Sequence, residues 1–248
     1  MSSENVTANR RPRRKDKLAD TIAQAVLRDI RGRGLGAGDQ LPKEADMLAE
    51  YGVGRGTLRE AMRVLETCGL ISLKPGPGGG PVVQSVRPEN FGRMSSLFFQ
   101  FGGITYREVF EARLILEPVA ARLAAERQQG SKAAEQLLLL AEGGAATKGD
   151  DSYLDATADF HASVIALGEN GVVGLLCQSL AEIYRDRVQS VLFPKNRRKE
   201  VHGAHVEIAR AIQTGDGDRA QQLMTDHMQQ YTRYLVKGHP ALLDEVVR

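Results

Sequence analysis

The chain of 248 residues contains no tryptophan, two cysteines and few aromatic side chains, which make up 5% of the sequence. Cys68 and Cys177 lie far apart and match no metal-binding or redox spacing, so buried, reduced thiols are expected. No stretch of about 18 uncharged apolar residues is present, and the polar N-terminus lacks the apolar segment of a secretory signal. We therefore expect a cytoplasmic protein with no membrane partner.

Length and charge distribution indicate two domains with different tasks. The chain exceeds the common domain size of about 100 to 200 residues. Up to residue 87, Lys and Arg outnumber Asp and Glu by 15 to 10, whereas from residue 88 onward the acidic residues lead by 21 to 18. A basic front half favours a domain that meets a polyanion. Residues 1–15, which include most of the run "NRRPRRKDK", are expected to form a disordered basic arm that either touches phosphates or is simply solvated.

Residues 16–84 have the pattern of a winged helix-turn-helix. Apolar periodicity predicts three helices, at residues 16–33, 43–51 and 55–68. Two short β-prone runs follow, 70–73 and 81–84, joined by a glycine-rich turn that predicts a hairpin wing. In such a domain the third helix can enter the major groove of DNA while the wing reaches the adjacent backbone or minor groove.

The third helix has an arginine face. Its apolar stripe consists of Leu58, Ala61, Met62 and Leu65, so Arg55, Arg59 and Arg63 lie off the buried side. A solvated surface would have the same pattern. The preceding short helix, the tight turn, the wing and the basic arm favour DNA instead, because the arginine fork can bond guanine or clamp phosphate oxygens.

The run "GDQLPKEADMLAEYGVGRGTLREAMRVLETCGLI" resembles the N-terminal domain of GntR-family transcription regulators, over about residues 16–84. The resemblance implies backbone or base contacts with DNA for four residues and a wing tip at a fifth: Lys43, Arg55, Thr57, Arg59 and Gly78. The family's usual serine before the first arginine is replaced here by Gly54, which can still cap the helix but has no hydroxyl for a phosphate.

Most of the sequence after residue 84 has the pattern of α-helices. Residues 85–106 are expected to form a linker and a connecting helix, residues 107–238 an all-α bundle, and residues 239–248 a C-terminal tail. Six runs in the bundle have apolar residues at helical spacing: 107–128, 131–142, 151–167, 171–192, 197–214 and 217–237. The predicted fold class is therefore mainly α, with a small hairpin wing in the first domain.

Three of the five histidines lie on the apolar faces of three different predicted helices: His161, His205 and His227. Each alone fits a hydrogen-bonded core histidine. Together, imidazoles that point inward from facing helices can hold one divalent metal ion, and Zn, Ni, Mn or Fe suits such ligands.

The bundle is also similar to the FCD-type ligand-binding domain of the FadR-like branch of the same family. The matching runs are "EARLILEPVAARLAA", "FH", "GENGVV" and "AHVEIARAIQTGDGDRAQQLMTDHM". The resemblance implies that the three histidines bind a metal, and that a small carboxylate effector binds beside it, near Arg113, Thr157 and Asn170. Family members have an aspartate ligand four residues before the first histidine, where this chain has Thr157. Water, Thr157 or an effector carboxylate is then left for the fourth position, and weaker metal binding is expected.

These observations predict a homodimeric, ligand-responsive transcription regulator that is not an enzyme. It is expected to bind a palindromic operator in double-stranded DNA and to act as a repressor. Two alternatives stay open at this point. One is a metal-free sensor of a larger acyl-type ligand, and the other is an enzyme in which the histidines hold a catalytic metal.

Overall fold

A computed structural model describes residues 14–76, 78–143, 149–188 and 197–248. The chain divides into two compact units, one up to Asn90 and one from Phe91 to Arg248. Residues 1–13 of the predicted arm lie outside the described residues. The elements are α1 (Arg14–Gly32), α2 (Glu44–Tyr51), α3 (Arg55–Thr67), β1 (Ile71–Lys74), β2 (Gly80–Val83), α4 (Pro88–Gly102), α5 (Tyr106–Gln128), α6 (Lys132–Gly143), α7 (Asp150–Leu167), α8 (Gly171–Val188), α9 (Arg198–Thr214), α10 (Gly217–Gly238) and α11 (Pro240–Leu243). The predicted mainly α fold class is confirmed.

The first unit is a three-helix winged domain. Helix α1 packs against α3, and α2 joins α3 through a short turn. Gly52 ends α2 in the left-handed conformation (φ +61°), and its N–H donates to the carbonyl of Leu48. The buried core of this unit includes the predicted α3 stripe, namely Leu58, Ala61, Met62 and Leu65. Burial of that stripe turns the opposite face of α3 to solvent.

The wing is an antiparallel hairpin in which β1 pairs with β2. Its register runs from Ile71 opposite Val83 to Lys74 opposite Gly80. The Gln40 side chain supports the tip from outside, because its Nε2 donates to the carbonyls of Gly78 (2.9 Å) and Gly79 (3.1 Å). Gly78 has φ +81°, a conformation that residues with a Cβ rarely adopt, so glycine suits the predicted wing-tip position.

The second unit is a helical bundle built around α5, which packs against α7, α8, α9 and α10. Helix α5 begins at an N-cap Thr105, whose backbone N–H donates to the Glu108 carboxylate (2.8 Å). The largest apolar core lies between α5, α6, α7, α9 and α10 and consists mainly of alanine, isoleucine, valine and methionine side chains. Small residues on α5 let the neighbouring helices approach closely.

The last ten residues pack against the bundle. They contain α11, and the side chain of Val247 is fully buried. The Val247 N–H donates to the carbonyl of Ile104 (2.9 Å), and the Tyr106 N–H donates to the carbonyl of Glu245 (3.1 Å). The segment predicted as a tail therefore closes the N-terminal end of α5.

Among the described helices, none is both long and apolar enough to cross a lipid bilayer. Both cysteines are free thiols. The predicted burial is confirmed for Cys177, which lies inside the bundle, and is wrong for Cys68, which is only half-buried at the end of α3.

Candidate functional site

The exposed face of α3 carries the predicted DNA-binding arginines. Arg55 is exposed at the first turn, and the side chains of Arg59 and Arg63 are 68% and 73% exposed. Arg59 Nε lies 3.5 Å from a Glu44 carboxylate oxygen, and Arg63 lies 3.8 Å from Glu60. Exposed pairs of this kind contribute about 0 to 1 kcal/mol. They leave the guanidinium groups able to exchange their partner for a phosphate or a base edge.

The remaining predicted DNA-binding residues lie on the surface of the same unit. Lys43 is exposed and directly precedes Glu44, so the contact of Glu44 with Arg59 brings the start of α2 beside α3. Gly78 is exposed at the wing tip, and Thr57 is half-buried in the first turn of α3. Gly54 caps α3 without a side-chain acceptor. Contact of these residues with DNA stays a prediction.

In the second unit, the structure brings the three predicted histidines together. His161 on α7, His205 on α9 and His227 on α10 are all buried. His227 Nε2 lies 3.2 Å from His161 Nε2 and 3.2 Å from His205 Nε2. The three candidate ligand atoms all lie within 4.8 Å of one another. We refer to these three residues as the histidine cluster.

The spacing of the histidine cluster fits a single metal ion. Two imidazole nitrogens bound to zinc at 2.0 to 2.1 Å, at a tetrahedral angle, lie about 3.3 to 3.4 Å apart. The two separations that involve His227, both 3.2 Å, are close to this value, and the third pair of ligand atoms lies within 4.8 Å. Burial lowers the pKa of His227 to about 3, and burial together with the other two imidazoles lowers the pKa of His205. Neutral imidazole is the form that binds metals, so the donor set fits the group.

A buried ion pair on α5 adjoins the cluster. Glu117 Oε2 lies 2.6 Å from His161 Nδ1, and Arg113 Nε donates to Glu117 Oε1 at 2.6 Å. Arg113 is 3% exposed and Glu117 is 1% exposed. Burial alone would raise the pKa of the Glu117 carboxyl, but the charge of Arg113 and the hydrogen bond with His161 outweigh it and hold the pKa at about 2. The Arg113 guanidinium also lies 4.0 Å from the centre of the Tyr184 ring, a cation–π contact.

Sequence reasoning missed Glu117, although a signal was present. Val109, Arg113, Glu117 and Ala120 recur at intervals of three and four residues, which places both charged side chains on the buried stripe of α5. A buried carboxylate needs a cationic or hydrogen-bonding partner. Arg113, one turn earlier on the same face of α5, is the candidate partner for the Glu117 carboxylate.

The predicted effector residues have partners of their own. The Thr157 hydroxyl donates to the Tyr153 carbonyl (2.9 Å), and Asn170 Oδ1 accepts from the N–H groups of Val172 (3.2 Å) and Val173 (3.1 Å), which caps α8. Arg113 is paired with Glu117. Effector binding by these three residues therefore stays a prediction. Asp155 and Asp159, two other carboxylates on α7 near His161 in sequence, are exposed.

The histidine cluster borders the apolar core of the bundle. That core includes Phe160, Val164, Ile208 and Met224, and the Phe160 ring stacks on His205 with centroids 4.1 Å apart. A separate group in the same unit consists of three tyrosines and one valine: Tyr153, Val201, Tyr231 and Tyr234. We refer to these four residues as the tyrosine group. Arg198 lies over the Tyr153 ring at 4.4 Å and pairs with Asp150 at 2.6 Å, so the tyrosine group offers hydroxyls and a guanidinium to a polar ligand.

Acid is expected to destabilise the metal-free second unit. His205 and His227 have folded-state pKa values below the ordinary 6.5, so the unfolded chain binds protons more readily below that pH. Stability is therefore full above about pH 6.5 and is lost as pH falls toward the folded pKa, about 3 for His227. Between pH 7.5 and 5.5 the loss from His227 should be about 1.4 kcal/mol, and His205 adds a loss in the same direction. The pKa of Glu117 is about 2, so the stability that its ionised form contributes is lost only below this pH window.

Urea unfolding in the presence of a chelator, at pH 7.5 and 5.5, measures this loss. The variant His227→Gln should reduce the difference in unfolding free energy between the two pH values by about 1.4 kcal/mol, because the contribution of His227 is gone. His239→Ala, which removes a histidine outside the cluster, should leave the difference unchanged. Equal stability of the wild-type protein at both pH values would contradict neutral burial of the two imidazoles.

Comparison with known proteins matches each unit to a domain family. Residues 108–230 match the model of the FCD domain, and residues 18–79 match that of the bacterial regulatory proteins of the gntR family. The HTH-type transcriptional repressor NanR of Edwardsiella tarda is 28% identical over 228 residues, which covers 88% of this chain and 85% of that protein. NanR of Escherichia coli K12 is 26% identical over 230 residues, covering 88% and 84%. The solved structure of a Streptococcus agalactiae GntR protein has the same fold, with a TM-score of 0.71, 24% identity and coverage of 87% of this chain and 99% of that chain.

Proposed function

Since the chain belongs to the GntR family of regulatory proteins and carries an FCD domain, we propose that it is a ligand-responsive repressor of transcription. The observation that carries this proposal is the exposed arginine face of α3 beside a hairpin wing, within the unit that matches the gntR model. The FCD unit is the proposed sensor. The protein would meet its operator in the cytoplasm.

The proposed DNA partner is a palindromic operator read by a homodimer. One winged domain presents one α3, which reads a half-site of a few base pairs, and two-fold symmetry of the protein would be mirrored in the DNA. Arg55 and Arg59 are assigned to base or phosphate contacts, with Thr57 beside them. Lys43 is assigned to the backbone and Gly78 to the wing contact.

The proposed effector is a small carboxylate that binds beside the histidine cluster. His161, His205 and His227 would hold a divalent transition metal such as Zn, Ni, Mn or Fe, which supplies a positive charge and an open coordination position to an anionic ligand. Thr157, Asn170 and Arg113 are assigned to the effector site. Arg113 belongs to it because its partner Glu117 contacts His161. Repression would change because the effector binds unequally to the DNA-bound and free arrangements of the protein.

A sensor is favoured over an enzyme by the state of the carboxylate nearest the cluster. Glu117 is bonded to both Arg113 and His161, and its pKa is held at about 2. Such a group is a poor general base at neutral pH. If the protein were a metal-free sensor of a larger acyl-type ligand, the histidine cluster would have no role in binding.

Restoring the family's aspartate is expected to strengthen metal binding. Thr157 lies one helical turn before His161, so the variant Thr157→Asp adds a carboxylate ligand at the position that water or the effector would otherwise fill. We expect about 10-fold or greater tightening of Zn²⁺, measured by competition with a chromophoric chelator. The variant Thr157→Asn, which has the same shape without the charge, is the control. Equal Zn²⁺ affinity in both variants would mean that this position does not face the metal.

A direct test of the function starts from the DNA upstream of the protein's own gene. Short palindromes from that region would be tested for a mobility shift with the purified protein, and then with a panel of small carboxylates, with and without Zn²⁺. Release of a shifted palindrome by one carboxylate supports the proposal. No shift of any palindrome, or a shift that no carboxylate changes, would contradict DNA recognition or carboxylate sensing, respectively.

A further inference from the structure

Among the residues that the structure describes, Glu117 is the carboxylate that hydrogen-bonds to the histidine cluster, and its partner there is His161. Its Oε2 lies 2.6 Å from His161 Nδ1, while its Oε1 accepts from Arg113 Nε at 2.6 Å. The side chain is 1% exposed, so water does not compete for either oxygen. By contrast, His227 Nδ1 is buried and has no hydrogen-bond partner among the described residues.

The two contacts determine where the proton of His161 lies. An ionised carboxylate only accepts hydrogen bonds, so the nitrogen that faces it must carry the hydrogen. A neutral imidazole has one N–H, and His161 Nε2 is then left with a free lone pair. That lone pair points toward His227 Nε2 at 3.2 Å, which is the centre of the cluster. Arg113 fixes the other oxygen and so prevents the carboxylate from turning away.

We propose that Glu117 is a positioning residue that holds His161 in the Nδ1–H form and thereby prepares its Nε2 for a metal ion. This inference rests on the metal site of the proposed function. It also ranks the ligands. His161 meets the metal in the required form, whereas His227 must place a hydrogen on Nδ1, which lacks an acceptor among the described residues. Of these two ligands, His161 is therefore the one that the fold has prepared in advance.

A glutamine at position 117 cannot do the same. Arg113 Nε–H and His161 Nδ1–H are both donors, and each needs its own oxygen from residue 117. The amide of Glu117→Gln has one oxygen and one NH₂ group. If the oxygen serves Arg113, the NH₂ group faces His161 and stabilises the Nε2–H form, which cannot bind a metal through Nε2. Outer partners of metal-bound histidines typically change affinity by about 10- to 100-fold.

The experiment measures the tautomer and the affinity separately. Long-range ¹H–¹⁵N correlation spectra of the metal-free protein report which ring nitrogen of His161 carries the hydrogen, and chelator competition reports Zn²⁺ affinity. The wild-type protein should have His161 in the Nδ1–H form. Glu117→Gln should shift His161 toward the Nε2–H form and weaken Zn²⁺ binding by about 10- to 100-fold. The control Glu126→Gln changes another carboxylate of α5, in the exposed i, i+4 pair with Arg122, and should change neither readout.

The outcomes separate this inference from the function on which it rests. A wild-type protein whose His161 is in the Nε2–H form overturns the inference, even if Glu117→Gln does not fold. Wild-type tautomer and affinity in a folded Glu117→Gln protein overturn it as well. Failure of the wild-type protein to bind Zn²⁺, with His161 in the Nδ1–H form, contradicts the metal site of the proposed function while the role of Glu117 in setting the tautomer stands.

Discussion

Replacement of Arg55 and Arg59 by alanine is expected to abolish specific operator binding. An arginine that bonds a guanine through both arms contributes about 1 to 3 kcal/mol of discrimination, so each single variant should bind about 5- to 150-fold more weakly. Both side chains are exposed and α3 is held by its opposite, apolar face, so the fold should not change. Fluorescence anisotropy with a labelled operator at fixed moderate salt measures the affinities.

The matched control for this prediction is Arg210→Ala. It removes the same charge from an exposed arginine, but in the second unit, where Arg210 pairs with Glu207 at 2.9 Å. Its operator affinity should equal that of the wild-type protein, and circular dichroism should be the same for all variants. Retention of operator specificity by the double variant would show that α3 is not the recognition helix.

The fold was predictable where the signal was local. The bounds of α5 and α10 differ from the predicted 107–128 and 217–237 by one residue at most, because Gly or Asp lies near the ends of both helices and α10 also has a marked apolar face. The wing was predictable for the same reason, since the glycines that allow positive φ stand between two β-prone runs. Helical periodicity also predicted the inward direction of the three histidines.

Contacts distant in sequence were not predictable. The last ten residues were expected to form a tail, yet Val247 is buried and its N–H meets the carbonyl of Ile104, more than 140 residues earlier. No local pattern encodes such a pairing. The link from Arg113 through Glu117 to His161 is similar. Its first step is one helical turn and readable from spacing, whereas its second step joins α5 to α7 and depends on tertiary packing.

Each of the two candidate sites has a weak local feature. In the first unit, Gly54 caps α3 without a side-chain acceptor. In the second unit, Thr157 stands one turn before His161 and its hydroxyl donates to the Tyr153 carbonyl. The buried pair of Arg113 and Glu117 is a strong feature, because both charges are paired and Glu117 contacts His161, the histidine one turn after Thr157. If the fourth metal ligand is weak, metal affinity depends more on the correct tautomer and orientation of the three histidines. Substitutions in the histidine cluster should therefore change metal affinity most.

Replacement of His227 by alanine is expected to eliminate metal binding. His227 Nε2 lies 3.2 Å from the ligand nitrogens of both His161 and His205, so its removal takes away the nitrogen shared by the two short contacts. Two imidazoles would remain, and among the described residues no carboxylate is grouped with them as a further ligand. We expect about one equivalent of metal per wild-type chain and at least about a 100-fold loss of Zn²⁺ affinity in His227→Ala, a larger change than an outer partner causes. Elemental analysis after gentle purification and chelator competition measure both quantities.

The control is His239→Ala, which removes a histidine that lies outside the cluster at the end of α10. It should retain wild-type metal content and affinity. Loss of metal by both variants would place the ion elsewhere. Less than about a tenth of an equivalent of any transition metal in the wild-type protein, with no uptake of added Zn²⁺, would contradict the three-histidine site itself, since buried neutral imidazoles at this spacing should bind Zn²⁺ at neutral pH.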